Sequence, residues 1–262
     1  MEKAVLYHRD GRVGLITLNR PKSLNAINDA WIHDLLDACR QAHEDDEARV
    51  IVVCGAGRAF CSGADLKETP RVQEHMEYRS QRIDPMQAIA LRFRHMRKPV
   101  IGQIHGYAVG GGCELAMLAD IRIAASGTKF GFTELRVGAT VTMGGLYNIA
   151  RIVGLGRALE LLYTTELINA EEAFRIGLVN RVVPLDQLPG AVQALADKLS
   201  DNFPFETSLV RNALYRALDL DFDAAIEEET TASLLSQMGG ARNVGMRRAL
   251  QDIKSKPGRL GS

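Results

Sequence analysis

Val50-Ile-Val-Val-Cys-Gly-Ala-Gly-Arg-Ala-Phe-Cys-Ser-Gly-Ala-Asp-Leu-Lys67 begins as an unbroken apolar run and ends in a glycine-rich turn. Val100-Ile-Gly-Gln-Ile-His-Gly-Tyr-Ala-Val-Gly-Gly-Gly-Cys-Glu-Leu-Ala-Met-Leu-Ala119 repeats the pattern, with three consecutive glycines opening a helix. A short, wholly apolar strand is the kind buried on both faces of a sheet. Between the two stretches, residues 86–96 read as a helix stopped by Pro99. Upstream, residues 13–18 read as a strand, and Asn28 or Asp29 caps a helix reaching about His43. The acidic knot Glu44-Asp45-Asp46-Glu47 reads as a solvated turn. Downstream, 121–124, 129–132 and 179–183 read as further strands. Strands alternating with helices of about ten residues predict an α/β core with parallel pairing. From Leu188 the pattern is helical, over 189–202, 205–218, 222–238 and 242–254. The expected organisation is a core over 1–195 that carries the site and a helical C-terminal domain over 196–262.

Residues 67–85 (KETPRVQEHMEYRSQRIDP) contain two prolines, alternating charges and few large apolar side chains. They read as a loop or loosely packed helix able to move, either as a lid or as a plain surface excursion.

The 262 residues carry 32 Lys+Arg against 32 Asp+Glu, with 46% apolar and 24% charged residues. That balance excludes a disordered chain and a nucleic-acid binder that works by broad charge attraction. Cys39, Cys54, Cys61 and Cys113 form no CxxC pair, and the polar opening MEKAVLYHRDGRVG lacks an export signal's apolar stretch. A reducing cytoplasm is the expected setting. The longest apolar candidate for a membrane span, 100–119, is interrupted by Gln103, His105 and Glu114, so no membrane partner is expected.

Glycines at strand ends let a ligand approach main-chain amides, and the first N–H groups of a helix carry partial positive charge. Such amides suit an oxygen that becomes negative during a reaction. Nucleotide motifs fail here. Phe60 stands where the dinucleotide fingerprint needs its third glycine, and Leu159 does the same after Gly154-Leu-Gly156. Ser62 is not in a GxSxG elbow. The six histidines show neither HExxH nor zinc spacing with cysteine, so no metal is expected. Glu114 lies in a predicted first helical turn, where the helix dipole alone explains an acid. Glu134 follows Phe130-Gly-Phe-Thr133 in apolar surroundings. A carboxylate enclosed by apolar groups tends toward a raised pKa, suited to proton transfer near neutral pH. Taken singly, a glutamate in either setting is more often structural than functional.

LNRPKSLNAIN (18–28), VIVVCGAGRAFCSGADLKE (50–68), KPVIGQIHGYAVGGGCELAMLADIRIA (98–124), KFGFTELRVG (129–138) and AEEAFRIGLVNRVVP (170–184) together resemble the crotonase superfamily, and within it the enoyl-CoA hydratase/isomerase branch. The resemblance covers most of residues 13–184 in family order. It implies a crotonase-like spiral of repeated ββα units with a helical C-terminal trimerisation part, assembled as a homotrimer or a dimer of trimers. It implies an acyl-CoA thioester substrate of lipid or fatty acid metabolism, with CoA as part of the substrate and no separate cofactor. By the same resemblance the oxyanion hole falls on the amides of Ala64 and Gly111, and the two catalytic glutamates are Glu114 and Glu134. Glu134 would exchange a proton at the α carbon while Glu114 holds and activates water. The substrate and CoA contacts fall on Lys22, Ala26, Ala64, Asp65, Leu66, Lys67, Gly110 and Thr142. A basic tail, with six Lys/Arg against one Asp over 242–259, could meet phosphates or form a solvated helical face.

The chain departs from the family after Glu134. Val141-Thr142 stands where a Pro-Gly turn is usual, and Leu146-Tyr147-Asn148 replaces Thr-Gln-Arg. This segment is expected near the acyl end of the site, where Thr140, Thr142 and Tyr147 either accept a functionalised chain or repack a loop. The first expectation is therefore an enoyl-CoA hydratase-like lyase. The alternatives are a double-bond isomerase, another crotonase-type enzyme such as a carnitinyl-CoA dehydratase, and a non-catalytic binding protein, which the retained glutamates disfavour.

Overall fold

The computed structural model describes residues 3–67 and 75–255. The chain divides into two compact units, one ending at Ser200 and one starting at Asp201. The first unit runs β1 (Val5–Asp10), β2 (Val13–Leu18), α1 (Asp29–Glu44), β3 (Val50–Gly55), α2 (His75–Tyr78), α3 (Asp84–Arg94), β4 (Val100–Ile104), β5 (Tyr107–Val109) and α4 (Gly111–Met117). It continues through β6 (Ile121–Ala125), β7 (Lys129–Gly131), α5 (Gly145–Val153), α6 (Leu155–Thr164), β8 (Ile168–Asn169), α7 (Ala170–Arg175), β9 (Arg181–Val183) and α8 (Leu188–Ser200). The boundary expected at residue 195 falls inside α8.

The larger sheet has the order β1-β2-β3-β4-β6-β9, parallel throughout except for the β1–β2 hairpin. A smaller sheet has the order β5-β7-β8. Isolated parallel bridges join Ile27 to Ala64 and Cys61 to Ala108, and β5 in turn pairs Ala108 with Phe130 of β7. Each turn of the chain thus gives one strand to the large sheet and one extended segment to a second layer. This is the spiral of ββα units.

The alternation along β3 explains why its whole run is apolar. Val50 and Val52 join one core with Ile101, Ile123, Leu188, Val192 and Leu195, beneath α8. Ile51 and Val53 face the other core with Trp31, Leu35, Phe60, Phe93 and Phe130. Successive strand residues point to opposite faces, and here both faces are covered. Helix α1 opens as expected, with the Asn28 side chain accepting from Trp31 N–H at 2.9 Å. Its buried stripe is Trp31, Ile32, Leu35, Ala38, Cys39 and Ala42.

The 44–47 knot is a turn with Glu44, Asp46 and Glu47 exposed, as expected, and Asp45 within it also acts as a structural staple. Asp45 Oδ2 accepts from Tyr7 Oη at 2.9 Å and Arg9 Nε at 3.0 Å, and its Oδ1 accepts the amides of Glu47 and Ala48. Lys98 Nζ donates to the carbonyls of Ala42 and Asp45 at 2.6 Å, closing the end of α1 onto the start of β4. Within 67–85, residues from 75 onward are helical, with a wide π-type turn over Arg79–Ile83 leading into α3. The remainder of that stretch, 68–74, lies outside the described residues.

The second unit holds α9 (Pro204–Ala217), α10 (Phe222–Met238) and α11 (Ala241–Ser255). Pro204 occupies the first turn of α9, and Asp221 caps α10 by accepting from Ala224 N–H at 2.9 Å. Of the basic tail, 256–259 lies outside the described residues. Among the described residues, no helix is long and apolar enough to cross a membrane.

Candidate active site

The two glycine turns meet in the first unit. A side chain at Gly63 would place its Cβ 2.7 Å from the Val109 carbonyl oxygen, and one at Gly112 only 2.2 Å from the Cys61 carbonyl oxygen. Only glycine permits this approach, which packs the start of α4 against the 61–64 segment. Asn25 braces the first turn from behind. It is fully buried in a left-handed conformation, its Oδ1 accepts from Arg20 N–H, and its Nδ2 donates to the carbonyls of Ala56 and Ala59. The LNAIN stretch therefore serves largely to hold the SGAD turn in place.

Ala64 and Gly111 border the same space. Ile27 N–H donates to Gly63 O at 2.8 Å, and Asp65 N–H donates to Ile27 O at 2.9 Å. In such a parallel bridge the residue between the two bonds, Ala64, directs its own N–H away from the partner strand. Gly111 opens α4, where no helical carbonyl can reach its N–H. Ala64, Gly110 and Gly111 all line one cavity of about 460 Å³, together with Glu114, Glu134 and Thr142.

The carboxylates converge in that cavity. Glu114 is 2% exposed, and its Oε2 accepts from Thr142 N–H at 2.6 Å. Burial, reinforced by the charge of Glu134, pushes its carboxyl up to about 8. Glu134 starts the helical turn Glu134–Val137, capped by Gly138 in a left-handed conformation. Its carboxyl is raised as well, by burial, with hydrogen bonds and the neighbouring Glu114 pulling the other way. Glu134 Oε2 is buried without a hydrogen-bond partner among the described residues. Each carboxyl resists ionisation in this setting, which suits the pair to proton exchange near neutral pH.

The remaining sequence-derived contacts divide. Leu66 lines the cavity and is 69% exposed. Lys22, Ala26, Asp65 and Lys67 are not part of its wall. The Asp65 carboxylate is engaged by Arg20 at 3.0 Å and accepts Lys67 N–H at 3.2 Å, so it shapes the turn. Ala26 is buried and its carbonyl accepts from Arg20; Lys22 and Lys67 are exposed. Thr142 contributes its main-chain N–H, while its hydroxyl lies 3.9 Å from Met86 Sδ. Thr140 lines the cavity, but Tyr147 does not. The Tyr147 ring instead stacks against Arg151, 3.5 Å from its centroid, and Arg94.

Tyr78, Arg82 and Ile83, from the stretch read as a lid or a surface excursion, form one wall of the cavity with Met86. That stretch is polar and resembles a surface loop, so no local signal marked Arg82 as buried. Among the described residues, no group of three or more His, Cys, Asp or Glu side chains is arranged to hold a metal ion.

A ββα spiral bearing two carboxylates beneath a pair of glycine turns defines a crotonase-fold enzyme. The chain belongs to the enoyl-CoA hydratase/isomerase family, whose model matches residues 8–246. It is 36% identical over 230 residues to a short-chain-enoyl-CoA hydratase of Clostridium acetobutylicum, covering 87% of each chain. It is 36% identical over 229 residues to a crotonyl-CoA hydratase of Syntrophomonas wolfei, again covering 87% of each. Among solved structures, the enoyl-CoA hydratase of Bacillus anthracis superposes with a TM-score of 0.90 at 31% identity, covering 95% of this chain and 96% of that one.

Proposed function

We propose that the protein is an enoyl-CoA hydratase that adds water across the α,β double bond of a 2-enoyl-CoA thioester. The observation that carries this reading is the pairing of Glu114 and Glu134 in one cavity with the Ala64 and Gly111 amides. Attack of water on the β carbon moves the π electrons onto the thioester oxygen, and the two amides would hold that charge. In other enzymes one such donor contributes roughly 3–4 kcal/mol. We assign the water to Glu114, whose Oε2 is anchored by the Thr142 N–H. We assign the α-carbon proton to Glu134, whose Oε2 is uncommitted among the described residues. Water loses a proton to one carboxylate and the α carbon gains one from the other. The product is a 3-hydroxyacyl-CoA, and the pair ends with as many protons as it began. CoA arrives as part of the substrate, and the chemistry calls for no separate cofactor.

The relatives named as hydratases of short-chain enoyl-CoA and crotonyl-CoA support a short acyl chain. Exposed apolar residues on the second unit, among them Phe205, Leu214, Phe222 and Met238, support assembly into a homotrimer or a dimer of trimers. A cytoplasmic setting accords with four free cysteines. The test is hydration of crotonyl-CoA, followed by mass gain of one water. Absence of turnover with any 2-enoyl-CoA would refute the reading, and migration of a 3-enoyl double bond without water addition would favour an isomerase.

A further inference from the structure

Ile27 borders both residues of the proposed oxyanion hole. Its backbone bonds to Gly63 and Asp65 fix the peptide planes on either side of Ala64. Its Cδ1 would lie only 2.7 Å from a Cβ placed on Gly111, so the end of the side chain rests against the second donor. Ile27 is 1% exposed. Its carbonyl also accepts a second hydrogen bond, from Arg82 Nη2 at 3.3 Å.

Arg82 is the unusual member of this group. It is 4% exposed, a rare burial for arginine, and lies in the wide turn that precedes α3. Turns of this type inside helices occur frequently at functional sites. Arg82 Nη1 reaches Asp29 Oδ1 at 2.8 Å, on the far side of Ile27 in sequence from the Ala64 bridge. The guanidinium thus spans the Ile27 carbonyl and the start of α1, and a planar fork is suited to fixing two acceptors in one geometry. It also lines the cavity beside Met86, whose sulfur meets the Thr142 hydroxyl.

We propose that Ile27 and Arg82 are positioning residues for the oxyanion hole, with Ile27 setting the direction of both amides and Arg82 locking Ile27. The proposal rests on the reading that the Ala64 and Gly111 amides hold the thioester oxygen. Preorganised donors act by being aimed before charge develops, so a tilt of the Ala64 peptide lowers the rate of the chemical step more than it weakens substrate binding.

Arg82→Met keeps the aliphatic stem and removes both bonds. Asp29, with a side chain 54% exposed, stays hydrated in that variant, and Ile27 O keeps its bond from Asp65, so the fold is expected to survive. With crotonyl-CoA, kcat should fall by about tenfold to a hundredfold while KM changes less than about threefold. Arg82→Lys, which can restore one of the two bonds, should fall between. Ile27→Val, which removes the methyl against Gly111, should shift kcat in the same direction as an independent variant.

The decisive readout is difference infrared spectroscopy of carbonyl-labelled [1-13C]butyryl-CoA, which has no double bond to hydrate. The bound carbonyl stretch should move to lower frequency in the wild-type protein, and that shift should shrink in Arg82→Met and Ile27→Val. A purely structural role would lower melting temperature and leave the carbonyl frequency of the folded complex at its wild-type value. A full wild-type shift in both variants would overturn the proposal alone. Absence of any shift in the wild-type complex would overturn the oxyanion-hole reading, and the proposal with it.

Discussion

Replacing Glu114 by Gln keeps the shape of a buried side chain and removes its titration, so it isolates the energetic cost of keeping a carboxylate in the site. Glu114 is 2% exposed, and burial plus the charge of Glu134 raise it from its ordinary 4.5 to about 8. The folded protein therefore binds more protons than the unfolded chain between those values. Stability must fall as pH rises through that window. At about 1.4 kcal/mol for each tenfold change in proton affinity, the full cost is on the order of 5 kcal/mol. Glu134 titrates with its neighbour and takes part of it, so about 2–5 kcal/mol is expected between pH 4.5 and 8. The Gln amide oxygen can still accept from Thr142 N–H. Urea unfolding at half-unit steps from pH 5 to 8.5 measures the effect. The wild-type midpoint should decline across the range, and the Glu114→Gln midpoint should decline much less. Parallel curves would refute the argument, because Glu114 would then ionise in the folded protein as easily as in water.

The same variant and three further substitutions test other parts of the site. Glu114→Gln and Glu134→Gln should each lower crotonyl-CoA hydration by roughly a hundredfold or more, as expected for loss of a positioned acid or base; near-normal hydration in either variant would remove that glutamate from the chemistry. Gly112→Ala places a methyl 2.2 Å from the Cys61 carbonyl and must push the two turns apart. It should cost about 1–3 kcal/mol of stability and lower kcat, seen together in a melt and a steady-state assay. Asn25→Ala removes three hydrogen bonds at a buried left-handed position. It leaves the Ala56 and Ala59 carbonyls without that donor and should destabilise the protein by about 2–4 kcal/mol in denaturant unfolding.

Much of the fold was legible because its signals are local. The both-faces-buried strand over Val50–Gly55, the cap at Asn28 and the four late helices each follow from periodicity, capping residues and prolines close in the chain. Strand β5 has three residues and β8 two, too short for any period to declare itself. Strand β1 lies in the polar opening stretch, and its hairpin with β2 supplies the pattern that its own residues lack. The two glutamates were visible as residue types in apolar surroundings, but nothing in twenty residues of chain says that their carboxyls face one another.

Sequence alone determined the longer helices and the apolar strands, since propensity, capping and side-chain periodicity act within a few residues. It also determined the family, because the two glycine turns and two glutamates recur there in order. Tertiary structure alone decided that burial raises the carboxyls of Glu114 and Glu134, that Asp45 and Asn25 are braces, and that Arg82 is buried against Ile27. Burial and charge proximity are properties of segments brought together across the spiral. The pKa of a side chain depends on which distant groups exclude water from it.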